Sequence, residues 1–69
     1  MTYKELKKLT ESKTLPLNGT NEDGEDVIIE AGKSQEGERY FRTITAQRNA
    51  WLRINMYWED GTTEELYRK

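Results

Sequence analysis

Four arginines and five aromatic side chains fall between Arg39 and Trp58, and no acidic residue interrupts them. That mixture suits recognition. Guanidinium groups fork onto carboxylates or phosphates, and aromatic faces stack against planar or cationic groups. Catalytic groups are scarcer. The chain has neither histidine nor cysteine, and its two serines, Ser12 and Ser34, stand far from any plausible base. Nucleophilic triads of the serine or cysteine kind are thereby excluded. A carboxylate pair such as Glu64 and Glu65 needs a desolvating cleft to move its pKa values apart, and a chain of 69 residues can hardly build one. No enzyme activity is expected.

Metal and cofactor chemistry fare little better. Residues 19–30 place Asn21, Asp23, Gly24 and Glu30 where a calcium loop has its third, fifth, sixth and twelfth residues. Gly19 stands where such a loop needs aspartate, and Asp26 where it has an apolar residue. An acidic hairpin turn explains these positions more simply. No glycine pattern resembles a phosphate loop or a dinucleotide fingerprint. The sequon Asn18-Gly19-Thr20 carries no weight without a secretion signal. Neither a metal nor a cofactor is expected to be needed.

Charge is distributed in blocks. Residues 1–14 carry net +2, residues 21–38 net −6, residues 39–58 four arginines alone, and residues 59–69 net −2. The whole chain is at −2 with a pI near 5.1. Nucleic-acid binders usually show basic excess, which this chain lacks. The absence of cysteine points to a reducing cytoplasm, since secreted domains of this size usually carry disulfides. No apolar run is long enough for a membrane span or a signal-peptide core.

The elements that must position these groups can be read from periodicity. Thr2 and Glu5 have capping-box spacing at the start of a helix whose apolar flank is Tyr3, Leu6 and Leu9. Pro16 disfavours helical geometry at Leu15, so the helix ends before it. Beyond Pro16 the period changes to that of strands. Leu15 and Leu17 alternate with polar residues, and residues 21–25 form a turn. Val27-Ile28-Ile29 is β-branched, and residues 39–46 mix aromatic and β-branched types. Leu52, Ile54, Met56 and Trp58 alternate with Arg53, Asn55 and Tyr57, the clearest half-buried strand in the chain.

Asp60-Gly61 marks a tight turn. A three-residue loop with Gly61 left-handed would set Ile54 opposite Leu66 and keep apolar residues together. Thr62-Thr63-Glu64-Glu65 also has helix-capping spacing, but so short a segment makes a poor helix, and a strand is preferred. The expected fold is one α+β domain spanning residues 1–69. An N-terminal helix packs on an antiparallel sheet of four to five short strands, as a meander or a small, partly open barrel. Leu6, Leu9, Leu17, Ile29, Leu52, Ile54 and Met56 are the expected core.

A two-residue loop at Arg48-Asn49 would pair Tyr40 with Tyr57 and Arg42 with Asn55. Tyr40, Arg42, Arg53 and Tyr57 would then share the outer sheet face, with Arg48 and Trp51 at its edge. Such a face suits an acidic or phosphate-bearing protein partner, and Arg53→Glu would then abolish binding while leaving the fold intact. The plainer account is that these arginines pair with acids from residues 21–38. The expected function is a small binding protein that regulates or inhibits a partner by occluding its surface, a class that includes many small phage and mobile-element proteins. The alternatives are nucleic-acid binding through the Arg/aromatic face and self-assembly as a structural subunit. A homodimer is compatible with the opposite-sign blocks.

Overall fold

A computed structural model describes residues 1–46 and 51–68 of the chain. Helix α1 spans Tyr3–Thr10. Five strands follow, β1 (Leu17–Thr20), β2 (Asp26–Lys33), β3 (Arg39–Ala46), β4 (Leu52–Trp58) and β5 (Thr63–Arg68). Each strand pairs antiparallel with the next, giving a five-stranded meander in the order β1-β2-β3-β4-β5. The sheet is not closed into a barrel, so the fold is α+β as the periodicity implies.

The helix starts where its cap does. Thr2 Oγ1 accepts the Glu5 backbone N–H at 3.2 Å and donates to the Glu5 carboxylate. Thr10 Oγ1 donates to the Leu6 carbonyl at 2.8 Å, and the helix stops there, ahead of the cis Leu15–Pro16 bond. Eight residues are too few to hold a helix in water, so α1 depends on what it covers. Leu6 packs with Val27, Ile29 and Phe41 in the buried core, and Met1, Tyr3, Leu15, Leu17 and Tyr57 close around them. Tyr3 meets Phe41 with ring centroids 5.1 Å apart. The buried stripe of the helix therefore runs Tyr3, Leu6, Thr10. Leu9, expected in the core, is 43% exposed.

Turns fix the registers. Asn21 organises the β1–β2 hairpin, its side-chain oxygen accepting the N–H groups of Asp23 and Glu25 at 3.0 and 2.9 Å. This is the acidic turn expected in place of a calcium loop. Between β4 and β5 the Trp58 N–H donates to the Thr62 carbonyl, and Gly61 has φ +95°. The three-residue loop with a left-handed glycine is thus the one present, Ile54 lies opposite Leu66, and residues 63–68 form a strand.

The β3–β4 register differs from the expected one by a single residue. Tyr40 lies opposite Trp58, Phe41 opposite Tyr57, Arg42 opposite Met56 and Ile44 opposite Ile54. The last pair is Ala46 with Leu52, so the proposed two-residue turn at Arg48-Asn49 does not set the register; residues 47–50 lie outside those described. Because side chains alternate, a one-residue slip turns a whole strand over. On β4 the helix-side residues are therefore Arg53, Asn55 and Tyr57, while Leu52, Ile54, Met56 and Trp58 face away from the helix. The physical reason lies in the pairs formed. The expected register would oppose Ile44 to Arg53, whereas the observed one opposes it to Ile54 and lets Tyr57 join Phe41 in the core.

The sheet is consequently apolar on both faces. Ile54 is 5% exposed yet stands apart from the cluster under the helix, with Ile44 and Leu66 on either side of it in register. Leu52, expected in the core, is 38% exposed. Val27 and Phe41 are core residues that the alternation of β4 gave no reason to choose. Ile54→Ala is expected to destabilise the protein by about 2–4 kcal/mol, against under about 1 kcal/mol for Leu52→Ala. Urea titrations of the two variants beside the parent measure both.

Candidate functional site

Register determines what each face offers. Ile28 lies opposite Ile44, Ile44 opposite Ile54, and Ile54 opposite Leu66, so four aliphatic side chains form one unbroken row across β2, β3, β4 and β5. This row lies on the side away from α1. Its ends are open, with Ile28 44% and Leu66 43% exposed. Beside the Ile28 end lies a groove of about 520 Å³ bordered by Asn18, Asp26, Ile28, Ile44 and Ala46. The next row along the strands holds Glu30, Arg42, Met56 and Glu64, and beyond it lie Gly32, Tyr40 and Trp58.

Tyr40 and Arg42 do lie on this outer face, but neither projects alone. The Tyr40 ring lies over Gly32, so close that a Cβ there would sit 2.3 Å from the phenol carbon and oxygen. It also meets Trp58 edge-on, with centroids 5.0 Å apart at 62°. Glycine at 32 is thus a seat for an aromatic ring. Trp58 Nε1 in turn donates to Glu64 at 3.0 Å. Arg42 donates through Nε to Glu30 at 2.7 Å, and its Nη2 is equally close to the same oxygen.

Arg53 and Tyr57 lie on the other face, so the structure does not assemble the expected Tyr40, Arg42, Arg53, Tyr57 surface. Tyr57 is packed against the core. Arg53 pairs with Glu25 at 2.5 Å. The two residues sit on β4 and in the β1–β2 turn, and Asn21, Glu22 and Asp23 of that turn border one cavity with Arg53, Asn55 and Tyr57. Asn21 Nδ2 donates to the same Glu25 oxygen at 3.0 Å. The Glu25 carboxyl is held below its ordinary pKa first by the Asn21 amide and then by Arg53, and Glu25 holds the Arg53 guanidinium above its own. Trp51 precedes β4 and is 40% exposed; Arg48 lies outside the described residues.

Arg42 and Arg53 are therefore both engaged by acids from residues 21–38. The plainer account drawn from the charge blocks names this class of partner, but sequence order does not single out Glu30 and Glu25, which lie 12 and 28 residues away. The apolar row was missed for the same cause. Its four members come from four strands, and only the register aligns them. Among the described residues no group of three or more acidic side chains is arranged to hold a metal ion. No described helix is long and apolar enough to cross a membrane. Compared with family models, curated proteins and solved structures, the chain matches none.

Two outcomes follow from the Glu25–Arg53 pair. A carboxylate with a depressed folded pKa contributes stability that is present above its unfolded value, near 4.5, and lost as pH falls through the folded value. Denaturant titrations between pH 3 and 6 should show a steeper acid loss in the parent than in Glu25→Gln. In addition, Arg53→Glu places a third carboxylate beside Glu25 and Glu65. It is expected to lower the melting midpoint more than Arg53→Met does, contrary to the benign effect that an outward-facing Arg53 would have.

Proposed function

We propose that this protein is a non-enzymatic binding module that regulates or inhibits a partner protein by covering part of its surface, and that it docks through the outer sheet face. The observation that carries this reading is the Ile28–Ile44–Ile54–Leu66 row. An aliphatic strip of that length across four strands, with both ends exposed, is what a protein interface has at its centre. The rim around it is of the kind that supplies specificity, with the Glu30–Arg42 pair and the Tyr40–Trp58 rings beside the row and Asp26 and Arg68 on its other side. The cytoplasm, with its reducing conditions, suits a chain without cysteine.

The partner that fits is a protein with an apolar centre and a mixed-charge border. A strongly acidic or phosphate-rich partner is a weaker fit, because Arg42 and Arg53 already hold carboxylates. The same pairing disfavours nucleic acid as the main partner. The test is capture from extract of the native host by immobilised parent protein, with Ile28→Lys and the helix variant Lys8→Glu alongside. Ile28 and Lys8 are both exposed, so the circular dichroism of each variant should match the parent. A partner retained by the parent and by Lys8→Glu should be lost with Ile28→Lys, by about 30-fold or more in affinity for a central contact. Retention of the same partner by Ile28→Lys would remove the outer face from consideration. Tight binding of labelled single-stranded DNA or RNA at low salt would favour the nucleic-acid alternative.

A further inference from the structure

The two edges of the sheet are unlike. β1 is four residues long, follows Pro16 and carries Gly19, the usual means of making an edge a poor template. β5 has six residues in unbroken register with β4 and has no proline. No described strand pairs with its other side. Its main-chain polarity can be read from one bond. Trp58 N–H donates to Thr62 O, so that pair is hydrogen-bonded, and such pairs recur at every second residue of an antiparallel ladder. Glu64, Leu66 and Arg68 therefore turn their main-chain groups toward β4. Thr63, Glu65 and Tyr67 turn theirs to the open edge.

We infer that the open edge of β5 pairs with β5 of a second copy of this chain, antiparallel about a two-fold axis at Leu66. In that register the outward groups of Glu65 meet those of the partner's Tyr67, and the reverse, which gives four backbone hydrogen bonds. Glu64 falls opposite the partner's Arg68, again twice by symmetry. Both belong to non-hydrogen-bonded pairs, where facing side chains come closest. Leu66 meets the partner's Leu66. The Arg68 side chain has no hydrogen bond or ion pair with any described residue of its own chain, and the Glu64 carboxylate has only Trp58 Nε1.

Neighbouring registers lack this match. A two-fold at Glu65 sets that carboxylate against itself, and one at Glu64 does the same, both repulsive, while one at Tyr67 sets Leu66 against the partner's Arg68 and loses both Glu64–Arg68 pairs. The Leu66 register also carries the aliphatic row across the junction, from Ile28 of one copy to the partner's Ile28, eight residues on one face of a ten-stranded sheet. The pairing surface is the edge and the proposed docking surface is the face, so the dimer presents the face twice and its existence does not depend on the docking reading.

A single strand junction is a modest interface, so dimerisation should depend on concentration. Sedimentation equilibrium from about 10 μM to 1 mM is expected to show the mass rising from 8.2 kDa toward twice that value. Glu65→Pro removes an N–H that faces the open edge and leaves the β4 ladder intact, and should be monomeric throughout. Arg68→Glu opposes carboxylates at both cross-strand pairs and should raise the dimer dissociation constant about tenfold or more. Adding Glu64→Arg to Arg68→Glu restores opposite charges and should return it to within about threefold of the parent. Circular dichroism of dilute samples reports whether each variant folds; if Glu65→Pro does not, the charge-reversed pair decides. A parent that stays at 8.2 kDa at every concentration overturns the inference. So does a dimer that ignores both Glu65→Pro and Arg68→Glu, which would place the contact elsewhere.

Discussion

Ile44 against Ile54 is the contact on which the arrangement of this sheet turns. Strand side chains alternate with a period of two, so fixing one pair between β3 and β4 assigns every residue of β4 to a face. Tyr57 then falls beside Phe41, where it closes the core around Leu6. Arg53 falls on the helix side as well, where a guanidinium requires a counter-charge, and Glu25 supplies it from the β1–β2 turn. Asn21 holds both that turn and the carboxylate in place. Turn, ion pair and core all follow from one apolar pair.

The single short helix covers only one of the two apolar faces of the sheet. α1 covers Val27, Ile29 and Phe41 on one side. On the other, the aliphatic row is buried at Ile54, which lies in register between Ile44 and Leu66. Association with another surface would remove the exposed ends, Ile28 and Leu66, from water at roughly 25 cal/mol per Å² of apolar area. In a domain of this size even a few such side chains are a large part of the balance between burial and chain entropy.

Local signals in the sequence were reliable wherever the physics is local. Thr2 and Glu5 mark the helix start because a cap needs only adjacent residues, and Gly61 marks its loop because positive φ is a property of one residue. The pairing of Ile54 with Leu66 followed from that loop. The faces of β4 were not legible. The spacing between β3 and β4 is set by tertiary packing, and the alternation Leu52, Ile54, Met56, Trp58 reveals that one face is apolar without revealing which. Leu9 is exposed while Thr10 is buried, its hydroxyl satisfied at the Leu6 carbonyl, a choice of face that apolar spacing alone does not show. The partners of Arg42 and Arg53 were foreseeable as a class, acids from residues 21–38, but not as Glu30 and Glu25.

The meander has a consequence for the order of assembly. Every strand pairs only with its sequence neighbours, so each ladder can close like a zip from its own turn with little loop entropy to overcome. Distant segments must meet at the seating of α1 on β3 and at the bridge from Glu25 to Arg53. The central hairpins can therefore condense before either is made, with Phe41 already in place to receive the helix. A chain wired this way should cross its barrier with the β2–β3–β4 strands largely formed, so that substitutions in the helix change mainly the rate of unfolding and leave the rate of folding nearly untouched.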